Sequence, residues 1–243
     1  MKKLQWVALV PACILAVSGV SAFADYKVMS GGVKDGGSIS GRVTFNGTAP
    51  APEILKVDED KQVCGGDRPS EALLVSGSGG IENVVLSIDS ISAGKAWNFP
   101  KEFKYDQKKC TFVPHIMLIK PNMAGAVVNS DGVGHNFHTI SKGVYNINKK
   151  IQPGSELSVS NSKIRRPGIV RAKCDIHGWM SGYWFVAETP YAVLSDKEGN
   201  FSIKDIPPGS YTVKVWHEKL GESEQKVVVK KGETTKLNIA LKL

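Results

Sequence analysis

The chain has 243 residues, with 31 Lys and Arg against 23 Asp and Glu for a formal charge of +8, and 42% of it is hydrophobic. That length suits one large or two ordinary domains with proper cores. The basic excess is not interleaved with aromatic residues as in a nucleic-acid groove, which excludes nucleic acid as a partner, and beyond the first two dozen residues nothing approaches the run of about 18 apolar residues that a membrane span needs.

The first residues read as an export signal. Lys2 and Lys3 give a positive start, Trp6 to Val17 an apolar run, and Ala22-Phe23-Ala24 a small-residue cleavage site. Residues 1–24 are therefore expected to be removed, leaving a soluble periplasmic or extracellular chain that begins near Asp25. Lipidation at Cys13 is disfavoured by Pro11 just before it and by the apolar run continuing past it.

Cleavage leaves Cys64, Cys110 and Cys174, an odd number for an exported protein. The economical solution is a Cys64–Cys110 disulfide formed in an oxidising compartment, which frees Cys174 for metal. Two buried unpaired thiols at positions 64 and 110 are the other solution.

Residues 36–47 alternate as a strand through Ile39, Val43 and Phe45 and close on Asn46-Gly47, and residues 83–88 form a second β-branched strand. Residues 101–109 are charged without clear periodicity and read as a connector. From Cys110 onward strands follow one another, separated by turns at Pro121-Asn122, residues 130–134, Pro153-Gly154 and Pro167-Gly168. Along residues 169–174 a period of two puts Val170, Ala172 and Cys174 on one face, with Arg171 and Lys173 on the other. Beyond Pro190, short strands at regular spacing carry an all-β sandwich pattern to the C-terminus, with no sustained helical period anywhere.

Chemistry concentrates in Cys174-Asp175-Ile176-His177-Gly178-Trp179-Met180. A thiolate, an imidazole and a thioether in one loop are three of the four ligands of a blue-copper centre, which needs a second imidazole. His135 or His138 offers it. Zinc would not choose a thioether and would have to recruit His138 or Asp175 instead. Trp179 reads as a shield against water. Taken without any metal, Cys174 and His177 would be an inert core thiol and a loop histidine, which leaves the spacing to Met180 unexplained. Lys163, Arg165, Arg166, Arg171 and Lys173 crowd into one stretch that can steer an acidic redox partner or lie near anionic lipid, and is equally what an ordinary solvated face looks like.

Residues 110–187 resemble a cupredoxin of the plastocyanin, azurin and pseudoazurin kind, through Phe112-Val-Pro, the Asn129-Ser-Asp131 turn, the His135-Asn136 pair, Pro153-Gly154, Pro167-Gly168 and Cys-x-x-His-x-x-Met. The run at 174–180 is similar to that of bacterial plastocyanin-like proteins of the methylamine-utilisation-like type, fused to a carboxypeptidase-regulatory-like, transthyretin-like sandwich. The turns Asp196-Lys-Glu-Gly-Asn-Phe and Pro207-Pro-Gly-Ser-Tyr resemble that second domain, and residues 37–52 resemble its first strand.

The resemblance implies an all-β protein: a Greek-key cupredoxin at 106–188, a sandwich at 189–243, and an N-terminal β part at 37–105 that completes the second sandwich rather than standing alone. It implies one type 1-like copper held by His135, Cys174, His177 and Met180, with Asn136 bracing the loop. Familiar plastocyanins and azurins place the Met further beyond the His; the shorter step here resembles a binuclear copper loop, but that loop needs a second Cys, which is missing. The remaining His115, His138 and His217 are expected to pack as ordinary side chains or, more sharply, to make a second metal site or a layer around the first. The implied role is one-electron carriage to a redox protein such as a c-type cytochrome or an oxidoreductase, without enzymatic activity, since no nucleophile-base pair or paired carboxylate is visible. A copper carrier or store, and a metal-stabilised assembly module, are the other readings.

Overall fold

In the computed structural model the described residues are 26–243; the export-signal reading, with Cys13, falls on residues 1–25 and lies outside them. The protein is all-β, and the one helix among the described residues is the four-residue turn Lys61–Cys64.

Two sandwiches divide the chain. In the first, a four-stranded sheet runs in the order Glu156–Val159, Ala124–Asn129, Glu102–Lys108, Thr111–Val113, against a five-stranded sheet Asn148–Ile151, His135–Ser141, Gly168–Lys173, Ser181–Val186, Ile116–Ile119. Alternate residues of both sheets meet in one core around Trp184, Tyr105, Phe112 and Phe137, all of them 0–1% exposed. Tyr105 stacks on Phe112 at 5.3 Å and meets Trp184 edge-on at 5.5 Å, geometries that add to the apolar burial.

The stretch read as a connector is thus a strand. Phe103, Tyr105 and Gln107 point inward between outward Glu102, Lys104 and Lys108, and the density of charge on the solvent face hides that period of two. A domain boundary between residues 105 and 106 falls inside this strand, which runs parallel to Ala124–Asn129; the first sandwich begins before it.

The second sandwich is built from both ends of the described chain. Gly37–Phe45 lies between Asn200–Ile206 and the C-terminal strands Thr234–Lys236 and Ile239–Leu241. Val85–Ser87 likewise lies between Ala192–Leu194 and Gly209–His217. The first sandwich is therefore inserted into the second. The two meet where Trp216 packs against Tyr183 at 5.3 Å and Phe185 at 6.4 Å.

Gly41 lets one strand serve two parallel partners. The chain crosses over it between Lys236 and Ile239, so close that a Cβ on Gly41 would stand 1.7 Å from the Leu237 carbonyl oxygen. Because the obstacle is backbone, it cannot swing aside. Gly41→Ala should destabilise the second sandwich by about 3 kcal/mol or more, read as a lowered denaturant midpoint of that unit at unchanged slope.

Candidate metal centre

The donors arrive from three places in the first sandwich. His135 opens the strand His135–Ser141, in which His135, Phe137 and Thr139 face the core and Asn136 and His138 face outward. Cys174 follows directly on Gly168–Lys173, continuing the inward row of Val170 and Ala172. A tight turn then brings back His177 and Met180: the Met180 N–H donates to the His177 carbonyl (2.9 Å) and the Cys174 N–H to the Met180 carbonyl (3.3 Å). All four side chains are buried, His135 and His177 completely. Asn136 braces the turn by accepting from the Asp175 N–H at 3.1 Å and by bonding Asn148 through its amide.

Inside this frame the Nδ1 atoms of His135 and His177 lie 2.9 Å apart, and the Cys174 sulfur is 3.7 Å from the latter. Each ring's other nitrogen is committed outward: His135 Nε2 donates to Asp131 (2.8 Å) and His177 Nε2 to Asp60 (3.0 Å). A carboxylate only accepts, so the neutral form of either ring carries its proton on Nε2 and turns its Nδ1 lone pair inward. Burial holds His135 below the usual imidazole range, and His177 pushes the same way, against the pull of Asp131 and Asp60. Two buried lone pairs and a thiol sulfur at this separation fit the space around one cation, for which bonds of about 2.0–2.3 Å are usual with nitrogen and sulfur donors. The sulfur also accepts the Asn136 N–H at 3.2 Å and the His177 N–H at 3.4 Å, which stabilises a thiolate.

Two carboxylates complete the centre, and reading the sequence for ligands had passed over both. Asp131 is fixed by the N–H groups of Lys109 (2.6 Å) and Cys110 (2.8 Å). Its spacing of four from His135 was a visible signal. Asp60 lies 117 residues before His177 and gave none. Cys64 and Cys110 form a disulfide, with Cys174 the free thiol among the described residues. The Cys110 sulfur lies within 4.8 Å of both Asp131 and His135 ligand atoms, so the disulfide abuts the centre. His138 instead pairs with Asp175 at 2.9 Å on the outer face, where Lys173 and His138 together hold the Asp175 carboxyl down at about 2. Neither joins the donor group.

Residues 185–242 match the carboxypeptidase regulatory-like domain family. No curated protein matches the chain in sequence. The similarity to solved structures extends over part of the chain. A Cu-containing nitrite reductase from Thermus scotoductus SA-01 aligns at 19% identity over 42% of this chain and 25% of its own, with a TM-score of 0.34. A variant of amicyanin in its reduced Cu(I) form aligns at 18% identity over 36% of this chain and 84% of its own, with a TM-score of 0.31. A purple cupredoxin from Nitrosopumilus maritimus aligns at 17% identity over 35% of this chain and all of its own, with a TM-score of 0.30. The chain thus spans a quarter of the length of the nitrite reductase, 84% of that of the amicyanin and all of that of the purple cupredoxin.

Among the described residues, the groups able to hold a metal contain none of His115, His138 and His217. His138 is on the outer face, whereas His115 and His217 sit where the sandwiches meet. His115 Nε2 bonds the Glu218 carboxylate, and both side chains are buried. Burial alone would lower the His115 pKa, but the Glu218 hydrogen bond and charge, with Glu71 behind them, outweigh it and raise the value. His217 Nδ1 accepts the N–H groups of Lys219 (3.2 Å) and Leu220 (3.3 Å), and burial pushes its pKa down to about 4.

The two act in different pH windows. Between about 4 and the ordinary 6.5, the unfolded chain protonates His217 and the folded chain does not, so stability rises with pH there, by about 3 kcal/mol at most. His115, with its raised value, contributes stability fully below 6.5 and loses it as pH climbs through the folded value. His217→Asn keeps an acceptor for the two N–H groups and removes the titration. It should flatten the acid limb of a stability-against-pH profile while leaving the fall above pH 6.5 in place.

Proposed function

We propose that the protein is an exported mononuclear copper protein that carries single electrons, with His135, Cys174 and His177 as strong ligands and Met180 as a weak fourth. The observation that supports this most directly is the pair of inward-facing Nδ1 atoms 2.9 Å apart beside the Cys174 sulfur, all buried. Two imidazoles and a thiolate, with a buried thioether in the same turn, form a donor set that suits copper; zinc has no use for the thioether. Bound copper would supply a one-electron change of state.

The chain's own residues do the rest. Asp131 and Asp60 orient the rings, Asn136 pins the ligand turn to the neighbouring strand, and two N–H groups hold the sulfur. Such a frame rearranges little when the charge inside it changes, which is what fast electron exchange needs. Four protein donors leave no position open for a substrate, so the role is carriage rather than catalysis. Arg171 projects from the strand that delivers Cys174, so an acidic face on a redox partner such as a c-type cytochrome would meet a cation close to the centre. No helix among the described residues is long and apolar enough to cross a membrane; export to the periplasm or beyond rests on the leading residues alone.

Loaded with Cu(II), the protein should show an intense visible thiolate charge-transfer band and a reversible potential. Cys174→Ser should lose the band, and exchange with an acidic c-type cytochrome should slow steeply as ionic strength rises. A protein that holds Cu(I) tightly but shows no such band would instead be a copper carrier or store.

A further inference from the structure

Asp60 stands at the N-cap of the turn Lys61–Cys64, where an aspartate side chain ordinarily bonds the first backbone N–H groups of its own helix. Here it makes no such cap. Its backbone carbonyl takes the N–H groups of Val63 and Cys64 at 2.9 Å, while its carboxylate is turned away to His177 Nε2 at 3.0 Å. The residue adopts φ 48, the left-handed region that aspartate tolerates better than most side chains. A local bond has been given up, in a disfavoured backbone conformation, for a contact with a residue 117 positions away.

The segment that carries Asp60 is tied down on all sides. Val57 is buried in the core of the first sandwich and donates its N–H to Asp67 at 3.0 Å. Cys64 is joined to Cys110, and Arg68 donates to the carbonyls of Lys109 (2.6 Å) and Cys64. The segment is therefore a strap drawn across the His177 end of the centre. His177 has no exposed surface, whereas the Asp60 side chain is 35% exposed, so on that side Asp60 lies between ring and solvent.

We propose that Asp60 is a positioning residue of the centre. Its strap-borne carboxylate fixes the His177 ring through Nε2–H, closes the ring edge to solvent and, on the copper reading above, favours the more highly charged state of the bound ion. A negative charge one imidazole away from the ion stabilises Cu(II) over Cu(I), and carboxylates that hold metal-ligating histidines commonly change metal affinity by about 10–100-fold when removed.

Two measurements on the full chain decide this. In the metal-free protein, nitrogen-15 NMR of the His177 ring should show one tautomer, protonated at Nε2, in the wild type and in Asp60→Asn, which keeps the acceptor. Asp60→Ala should show exchange between tautomers, and a single Nε2–H form persisting there would overturn the positioning role. In the copper-loaded protein, Asp60→Ala and Asp60→Asn should both raise the potential, by about tenfold in the ratio of Cu(II) to Cu(I) affinity or about 59 mV. A ratio within about twofold of the wild type in both variants, far short of that range, would overturn the electrostatic role. A wild type that takes up copper without a thiolate band would sink the electron-carrier reading, and the metal-free measurement would still decide the role of Asp60.

Discussion

Two imidazole nitrogens that face each other at 2.9 Å, each ring held from behind by a carboxylate, are the constraint on which this structure turns. With both rings neutral, each lone pair meets the other across a dry site where repulsion is weakly screened. The arrangement persists because the opposite nitrogen of each ring is held by a carboxylate, and each carboxylate is held in turn: Asp131 by two backbone N–H groups, Asp60 by its strap. A cation at the focus would turn repulsion into attraction. The frame thus fixes both ring orientations within the protein itself.

This explains why the two sandwiches are interleaved instead of following one another. After Phe45 the chain leaves the second sandwich, and it closes back on it where Gly80 pairs with Thr44. The residues between form an excursion whose short hairpin, Ile54–Leu55 with Arg68–Pro69, frames the turn bearing Asp60 and Cys64. Had the N-terminal strands formed a unit of their own, no segment of the second sandwich would reach the ligand loop of the first. The disulfide then ties the excursion to Cys110, the residue whose N–H also fixes Asp131. One covalent link thus serves both carboxylates, and by closing a loop of 46 residues it also reduces the freedom of the unfolded chain.

How much could be read from the sequence follows from the range of the interactions involved. The inward direction of Cys174 was legible because strand alternation is local, and Cys174, His177 and Met180 were legible because one turn holds them all. His135 was chosen over His138 only by resemblance; what separates them physically is strand parity, since residue 135 faces the core and residue 138 faces outward. The strand Glu102–Lys108 was obscured because its solvent face is so charged that Phe103 and Tyr105 look incidental. Asp60 could not have been found at all: its meaning is a contact across 117 residues, and composition around it reads only as a loop. Residue type likewise says nothing about position: His138 lies on the outer face, whereas His115 and His217 sit where the sandwiches meet.

The joint between the sandwiches has its own logic. Trp216 supplies apolar area against Tyr183 and Phe185, which holds the units together without fixing their angle. The pair His115–Glu218 adds direction. Two buried partners that must find each other contribute little net stability once desolvation is counted, but leaving either one unpaired is strongly unfavourable. Misaligned packings of Trp216 are therefore penalised although their apolar contact would be nearly as good. His115 also lines a cavity shared with Trp179, Met180 and, from the excursion, Arg68 and Glu71. The buried His115–Glu218 contact at the joint thus borders the turn that carries the thioether. A change in the angle between the sandwiches would be felt at Met180, the buried thioether of that turn.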